Sequence, residues 1–385
     1  MVFEAAAALA MSMGIGRFAY TPILPLMHAQ AGLSPREGSA LAVANYIGYL
    51  VGAILTTLVP GLARSRHALR AGLLVVIASV ALMASTESQA SWLTLRLAAG
   101  IASAVVFVIA ASAMLTRLRQ HSQQLAGWGF GGVGAGIALS GGVAAIASTI
   151  GTWRTAWIAS AAAALVLTVV AWSLQPEPAS TAEPLRKQDG STAPRRAFGM
   201  LFASYTLEGV GYIIAGTFLV AAINESSPGW MGSSAWVLVG VSAFVGPAIW
   251  ASLSQRWTVP TLLLAALVMQ AVGIALPALA GGVISGLASA VLFGATFLGV
   301  AAIVLTLGAR FSYPQAIALL TAGYSIGQVL GPLIVTPLLH DGYRVALLAG
   351  AAIVFAAAIA AFGLRISLPA DGRVRLPGAR RQLLS

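Results

Sequence analysis

GIGRFAYTPILPLM, residues 14–27, is the stretch on which the reading of the whole chain turns. It lies inside a long apolar run, yet it carries Arg17, with Gly14 and Gly16 before it and Pro22 and Pro25 after it. Composition decides what such a run is. The 385 residues are 59% apolar and 8% charged, with a mean hydropathy of +0.90. A soluble domain carries about 25% charged residues, so this chain cannot cover itself for water. It is read as a polytopic membrane protein, and residues 14–27 as a broken membrane span with an arginine at depth.

Several functions are excluded or disfavoured at once. There is no cysteine, so disulfides and thiolate metal sites are absent. The histidines, His28, His67, His121 and His340, fall near segment ends or in loops, and no metal or other cofactor is expected. The net charge of +11 would suit nucleic acid in a soluble protein. In a membrane protein it reports basic cytoplasmic loops, and no nucleic-acid partner is expected. The first apolar segment runs straight into Arg17 without a cleavage site, so no removable signal peptide is expected. No P-loop and no nucleophile–base pair is present. GVGAG in the fifth apolar segment lacks the strand–turn–helix setting of a phosphate cradle. The chain is therefore not expected to be an enzyme.

Hydropathy yields spans near 3–28, 38–60, 69–87, 91–115, 125–148, 154–174, 198–222, 233–253, 259–279, 282–308, 315–338 and 343–364. Most linkers are short. The exception, QPEPASTAEPLRKQDGSTAPRR at 175–196, is rich in Pro, Ser and charge and reads as a flexible connector. The expected division is a six-helix half at 1–174, a cytoplasmic connector at 175–197, a second six-helix half at 198–364 and a basic tail at 365–385.

Arginine and lysine set the orientation. With the N-terminus inside, the inner loops hold Arg64, Arg66, Arg70, Arg117, Arg119, Arg186, Lys187, Arg195, Arg196, Arg256 and Arg310, and the tail adds Arg365, Arg373, Arg375, Arg380 and Arg381. The outer loops hold only Arg36, Arg154 and Arg344. Both termini are expected in the cytoplasm.

A weak internal repeat supports two halves of the same plan. GIGRFAYTPIL (14–24) aligns with GVGYIIAGTFL (209–219), so that Gly14, Gly16 and Leu24 match Gly209, Gly211 and Leu219, and Tyr212 replaces Arg17. TWRTAW (152–157) answers GYRVAL (342–347), and GFGGVGAG (129–136) loosely resembles GYSIGQVLG (323–331). Parallel six-helix repeats related by an axis along the membrane normal are a known transporter plan.

With these marks the chain resembles the major facilitator superfamily over essentially its whole length. RLAAG, Arg96 to Gly100, is similar to the superfamily's R-x-x-x-G pattern in its fourth helix. GFGGVGAGIALSGG resembles its antiporter-associated glycine motif, without the usual Gly-Pro pair. GIGRFAYTPILPLM resembles the opening of the bacterial YbfB/YjiJ-type subgroup. One departure stands out. The loop after span 2 usually reads G-x-x-x-D-R-x-x-x-R, with an acid that helps latch the cytoplasmic side. Here it is GLARSRHALR, with Ser65 in the acid's place, and the second-half ASLSQRW has no acid either.

The resemblance implies that the first, fourth, seventh and tenth helices line a central cavity. Three charged residues fall well inside spans: Arg17, Arg96 and Glu208, on the first, fourth and seventh. At 1.5 Å per residue they lie about 21 Å along span 1, about 8 Å from the outer end of span 4 and about 15 Å along span 7. A lone charge at such depth costs at least about 2.5–3.5 kcal/mol, so each is expected to face a partner or water. Two guanidiniums suit an anionic group by bidentate geometry. Glu208 is the acid placed to carry a proton, because desolvation favours the neutral form of a carboxyl; it could instead be a static partner of an arginine.

Tyr20, Tyr46, Tyr212, Tyr324 and Gln328 complete the expected substrate site, with Tyr20 one turn from Arg17 and able to lie on its face. The expected protein is a monomeric secondary transporter of a bacterial inner membrane. It would move a small organic anion or zwitterion by alternating access, coupled to protons. A proton-driven exporter of hydrophobic or cationic drugs is the alternative, and a non-transporting receptor or scaffold a more distant one.

Overall fold

A computed structural model describes residues 2–118, 123–176, 195–225, 227, 229–309, 311 and 316–368. Among these residues there is no strand, and twelve helices are long and apolar enough to cross a membrane. They are α1 (Val2–Ala31), α2 (Pro35–Leu58), α3 (Arg66–Ser85), α4 (Gln89–Arg117), α5 (Gly127–Ile150), α6 (Trp153–Ala171), α7 (Arg195–Asn224), α8 (Trp230–Leu253), α9 (Val259–Leu279), α10 (Gly282–Gly308), α11 (Ala316–Asp341) and α12 (Tyr343–Ser367). The ends of α9 and α10 coincide with the hydropathy boundaries, and the others lie within about three residues of them. Most of the expected connector and all of the tail beyond 368 lie outside the described residues, as do Arg119, His121, Arg186, Lys187 and Arg310.

The chain makes these helices for local reasons as well as apolar ones. Ser34 opens α2 with a capping box: its hydroxyl accepts from the Glu37 amide at 3.3 Å, and the Glu37 carboxylate accepts from the Ser34 amide at 2.8 Å. Ser65, which stands where the superfamily's acid would be, accepts from the Ala68 amide at 3.1 Å and starts α3. Large apolar side chains such as Ile146, Ile150, Val169, Ile284 and Phe362 point outward, as suits a lipid-facing surface.

The helices enclosed most fully are α7, α1 and α4, with 89%, 78% and 67% of their apolar windows buried. They are the helices that carry Glu208, Arg17 and Arg96. The fold is a two-fold-repeated six-helix bundle, as the resemblance noted from sequence implies, and the repeat is visible in its packing. Gly14 of α1 lies against the backbone of Gly136 on α5, and its counterpart Gly209 of α7 lies against the backbone of Tyr324 on α11. A Cβ at either position would collide with main chain, which neither partner helix can move aside. Thr21 donates to the Gly216 carbonyl across the two halves. Those residues are 195 apart, the same offset that aligns Gly14 with Gly209, so equivalent positions of the repeat meet near the pseudo-symmetry axis.

Helix α1 is interrupted. Val2–Leu9 is α-helical, Ala10–Ile15 is a π-helix, residues 16–19 form a turn, and Tyr20–Ala31 resumes the α-helix. In the break Gly16 N–H donates to Met11 at 2.9 Å and Phe18 N–H to Met13 at 3.1 Å, each one residue wider than an α-helical bond. The break was expected between about Gly14 and Pro25; it starts earlier and closes at Tyr20. Pro22 lies in the first turn of the resumed helix, where a missing N–H costs little, and Pro25 is accommodated inside it.

Candidate functional site

The π-helical break turns Arg17 toward the junction of the two halves. Arg17 is 2% exposed, so it is shielded from lipid and water alike. Its Nη2 donates to Gln328 Oε1 on α11. Its guanidinium carbon lies 4.4 Å from the ring centre of Tyr49, 4.9 Å from that of Tyr46 and 5.4 Å from that of Phe18. Its Nε is buried without a partner. Among the described residues, every group that touches this cation is neutral.

Arg96 is 1% exposed and does a different job. Its Nη1 donates to the Gly16 carbonyl at 3.2 Å and its Nη2 to the Arg17 carbonyl at 3.1 Å. No backbone N–H reaches either carbonyl, because the turn after the π-helix interrupts the ladder. Arg96 thus supplies the donors that the break removes. Tyr20 was expected on the face of Arg17. Its ring instead lies under Arg96 at 4.9 Å, and its hydroxyl donates to the Gly38 carbonyl at 2.8 Å. The i,i+3 rule holds only along a continuous helix, and the break between residues 17 and 20 rotates one face away from the other. Asn45 Nδ2 donates to the Arg96 carbonyl at 2.9 Å.

Glu208 is fully buried on α7. Among the described residues it makes no ion pair, with Arg17, Arg96 or any other cation. Its Oε1 accepts from Gln270 Nε2 of α9 at 3.1 Å, and its Oε2 has no partner. Gln270 was missed from sequence. The signal available was a single amide in the middle of the otherwise apolar span 259–279.

A file of near-parallel rings crosses from α7 to α11 and α10. Tyr205 stacks on Tyr324 at 4.3 Å, Tyr324 on Tyr212 at 5.4 Å, and Tyr212 on Phe297 at 6.0 Å, with planes within 13° of parallel. Gln328, which holds Arg17, is one turn along α11 from Tyr324, and Tyr212 is one turn along α7 from Glu208. Tyr46 closes the other side, its hydroxyl 2.8 Å from Thr217 Oγ1 of α7. The structure therefore brings Arg17, Tyr46, Tyr212, Tyr324 and Gln328 together, keeps Glu208 one turn along α7 from both Tyr205 and Tyr212 of the aromatic file, and sets Arg96 and Tyr20 against the break of α1. Trp128 of α5, by contrast, is 45% exposed and faces Phe244 of α8.

Among the described residues, the side-chain hydrogen bonds between the halves join Arg17 to Gln328, Thr21 to Gly216, Ser39 to Pro332 and Thr336, Tyr46 to Thr217, and His28 to Tyr343. All lie level with Arg17 or nearer the α1–α2 loop, so that face is the closed one.

Comparison with known proteins fits this geometry. The family model described as "Uncharacterised MFS-type transporter YbfB" matches residues 9–361. No curated protein sequence matches. Among solved structures, the crystal structure of a point mutant of the nucleoside transporter NupG is similar with a TM-score of 0.72 at 12% identity, covering 94% of this chain and 100% of that one. The NupG structure without that mutation gives a TM-score of 0.70 at 12% identity, covering 94% and 99%. At that identity the likeness is one of fold.

Proposed function

The chain belongs to the YbfB-type family of MFS transporters, a multi-pass membrane protein by its twelve spans, and from that premise we propose that it moves a small organic anion or zwitterion by alternating access, coupled to a proton carried on Glu208. The observation that carries the reading is the setting of Arg17. Its guanidinium is buried at the junction of the halves, ringed by Tyr46, Tyr49, Phe18 and Gln328, and meets no acidic side chain among the described residues. A carboxylate or phosphate that displaced Gln328 would supply the missing charge through a planar, bidentate contact. The aromatic file beside it favours a flat or ring-bearing body. Glu208, buried without a cation, suits a group that is neutral in one stage of the cycle and ionised in another.

The reading extends to placement. Both termini lie in the cytoplasm of a bacterial inner membrane on this reading, which the basic loops support, and the closed face is then the outer one. The transporter acts as a monomer, and no catalytic role is assigned to any residue.

A thermal-shift screen of the purified protein against small organic acids, amino acids, nucleosides and cationic dyes tests the substrate class. Acids or zwitterions raise the melting temperature of wild-type protein by several degrees, and the shift shrinks strongly in Arg17→Lys, which keeps the charge and loses the fork. Stabilisation by cationic dyes alone, unchanged in Arg17→Ala, would make the protein an exporter of cations instead. Nucleosides, the substrates named for the structural neighbour, form the neutral ring-bearing arm of the screen.

A further inference from the structure

The contact between Glu208 and Gln270 is short of one hydrogen atom. Gln270 Nε2 donates to Glu208 Oε1 at 3.1 Å. The other oxygen of each side chain, Glu208 Oε2 and Gln270 Oε1, is buried with no partner. Both are acceptors, so they cannot satisfy one another while the carboxyl is ionised. Two orphaned acceptors on one bonded pair of side chains are costly in a buried setting. One proton on Oε2 removes both deficits, because the new O–H donates to the Gln270 carbonyl oxygen while the Gln270 amide keeps its bond to Oε1.

We propose that Glu208 and Gln270 form an acid–amide pair closed by the transported proton, with Gln270 the residue that positions the carboxyl to hold and release it. This rests on the reading of Glu208 as the proton carrier. The balance of the step is simple: a proton from water adds to Oε2, no other bond breaks, and the site goes from one negative charge to none. Both partners belong to the second half, on α7 and α9, so the pair moves as a unit when the halves rock.

The surroundings contain no rival for the proton. Of the helices packed on α7, α8, α9 and α10 carry no titratable side chain within their spans. From α11 comes Tyr324, and from α7 itself Tyr205 and Tyr212, each within electrostatic reach of Glu208. The charged groups of α12, Arg344 and Arg365, lie at its two ends, and His340 and Asp341 lie at the outer end of α11. From α1, Arg17 is held by Gln328 and the tyrosines of α2. Tyrosines remain protonated near neutrality, so Glu208 is the group that exchanges.

Infrared difference spectra across a pH titration test this on the full-length protein in detergent, with the proton itself as the probe. Wild-type protein should give a protonated-carboxyl band that Glu208→Gln abolishes. The band should lie where a doubly hydrogen-bonded carboxyl absorbs, and move to the frequency of a free carbonyl in Gln270→Leu. A band that is lost in Glu208→Gln but does not move in Gln270→Leu would overturn the acid–amide pair and leave the proton carrier standing. Absence of any Glu208-dependent band would remove the carrier and the pair together. Should Gln270→Leu not fold, the wild-type band decides: a free-carbonyl frequency overturns the pair, a doubly bonded one upholds it.

Discussion

At the scale of the residue, two arginines with similar burial have opposite roles, and substitution should separate them. Arg96 donates to two carbonyls that the break of α1 leaves bare. Arg96→Leu should cost about 1–3 kcal/mol for each orphaned carbonyl and appear as a lower melting temperature and poor expression. Arg17 is held by one amide and three rings, so Arg17→Gln should fold nearly as well as wild type and lose ligand stabilisation. Equal thermal stability of Arg96→Leu and Arg17→Gln would contradict this division of labour. Glu208→Gln separates a carrier from a tie in the same way. Since no cation contacts Glu208 among the described residues, the amide should leave folding intact. In vesicles, exchange of the solute found by the screen should survive while accumulation against its gradient, driven by an imposed pH difference, is lost. Concentrative transport at the wild-type level would leave Glu208 without a part in coupling.

At the scale of the element, the two seams between the halves are built differently. Along α5–α8 the helices touch backbone to backbone. Gly131 meets Phe244, Gly134 meets Ala243 and Phe244, Gly141 meets Val237, and from the other side Gly240 meets Ala138. The α2–α11 seam is joined by hydroxyls near the α1–α2 loop, where Ser39 Oγ lies 2.6 Å from Thr336 Oγ1. A glycine seam allows close approach and small sliding, so in the proposed alternating-access cycle α5–α8 would be the pivot and α2–α11 the side that parts. Gly134→Leu would drive a side chain into main chain of α8 and should cost at least about 1–3 kcal/mol from overpacking. Gly142→Ala, on the same helix but with nothing within 4 Å of its new methyl, should be neutral. Melting temperatures of the two variants give the comparison, and equal values would remove the close seam from the account.

At the scale of the whole molecule, the closed face should be trappable. The chain has no cysteine, so Ser39→Cys with Thr336→Cys introduces the sole thiols, at positions already in side-chain contact. Oxidation should cross-link α2 to α11, hold the α1–α2 face shut and stop transport, and reduction should restore it. Full transport by the cross-linked protein would show that this face need not open. The same scale explains the missing acid after span 2. Ser65 caps α3, and Arg70 lies 4.6 Å from the ring centre of Trp172 on the first half's own surface. In this conformation the bonds that join the halves lie at the opposite face.

Sequence by itself determined the membrane, the twelve spans, the repeat and the three charges worth explaining. Each of these follows from an energy local to the chain: the transfer of apolar side chains into hydrocarbon, or the cost of a charge held there. It also pointed to a broken first helix, since glycine, arginine and proline together oppose a regular ladder. What only the tertiary structure decided is which neighbour each buried group meets. Helical rise sets the depth of a residue, but rotation about the helix axis and the choice of facing helix depend on packing. The π-helical break added a rotation that no spacing rule contains, so Tyr20 left Arg17 for Arg96. The facing helix supplied Gln270 to Glu208, across 62 residues of chain, where sequence had offered an arginine as its possible partner.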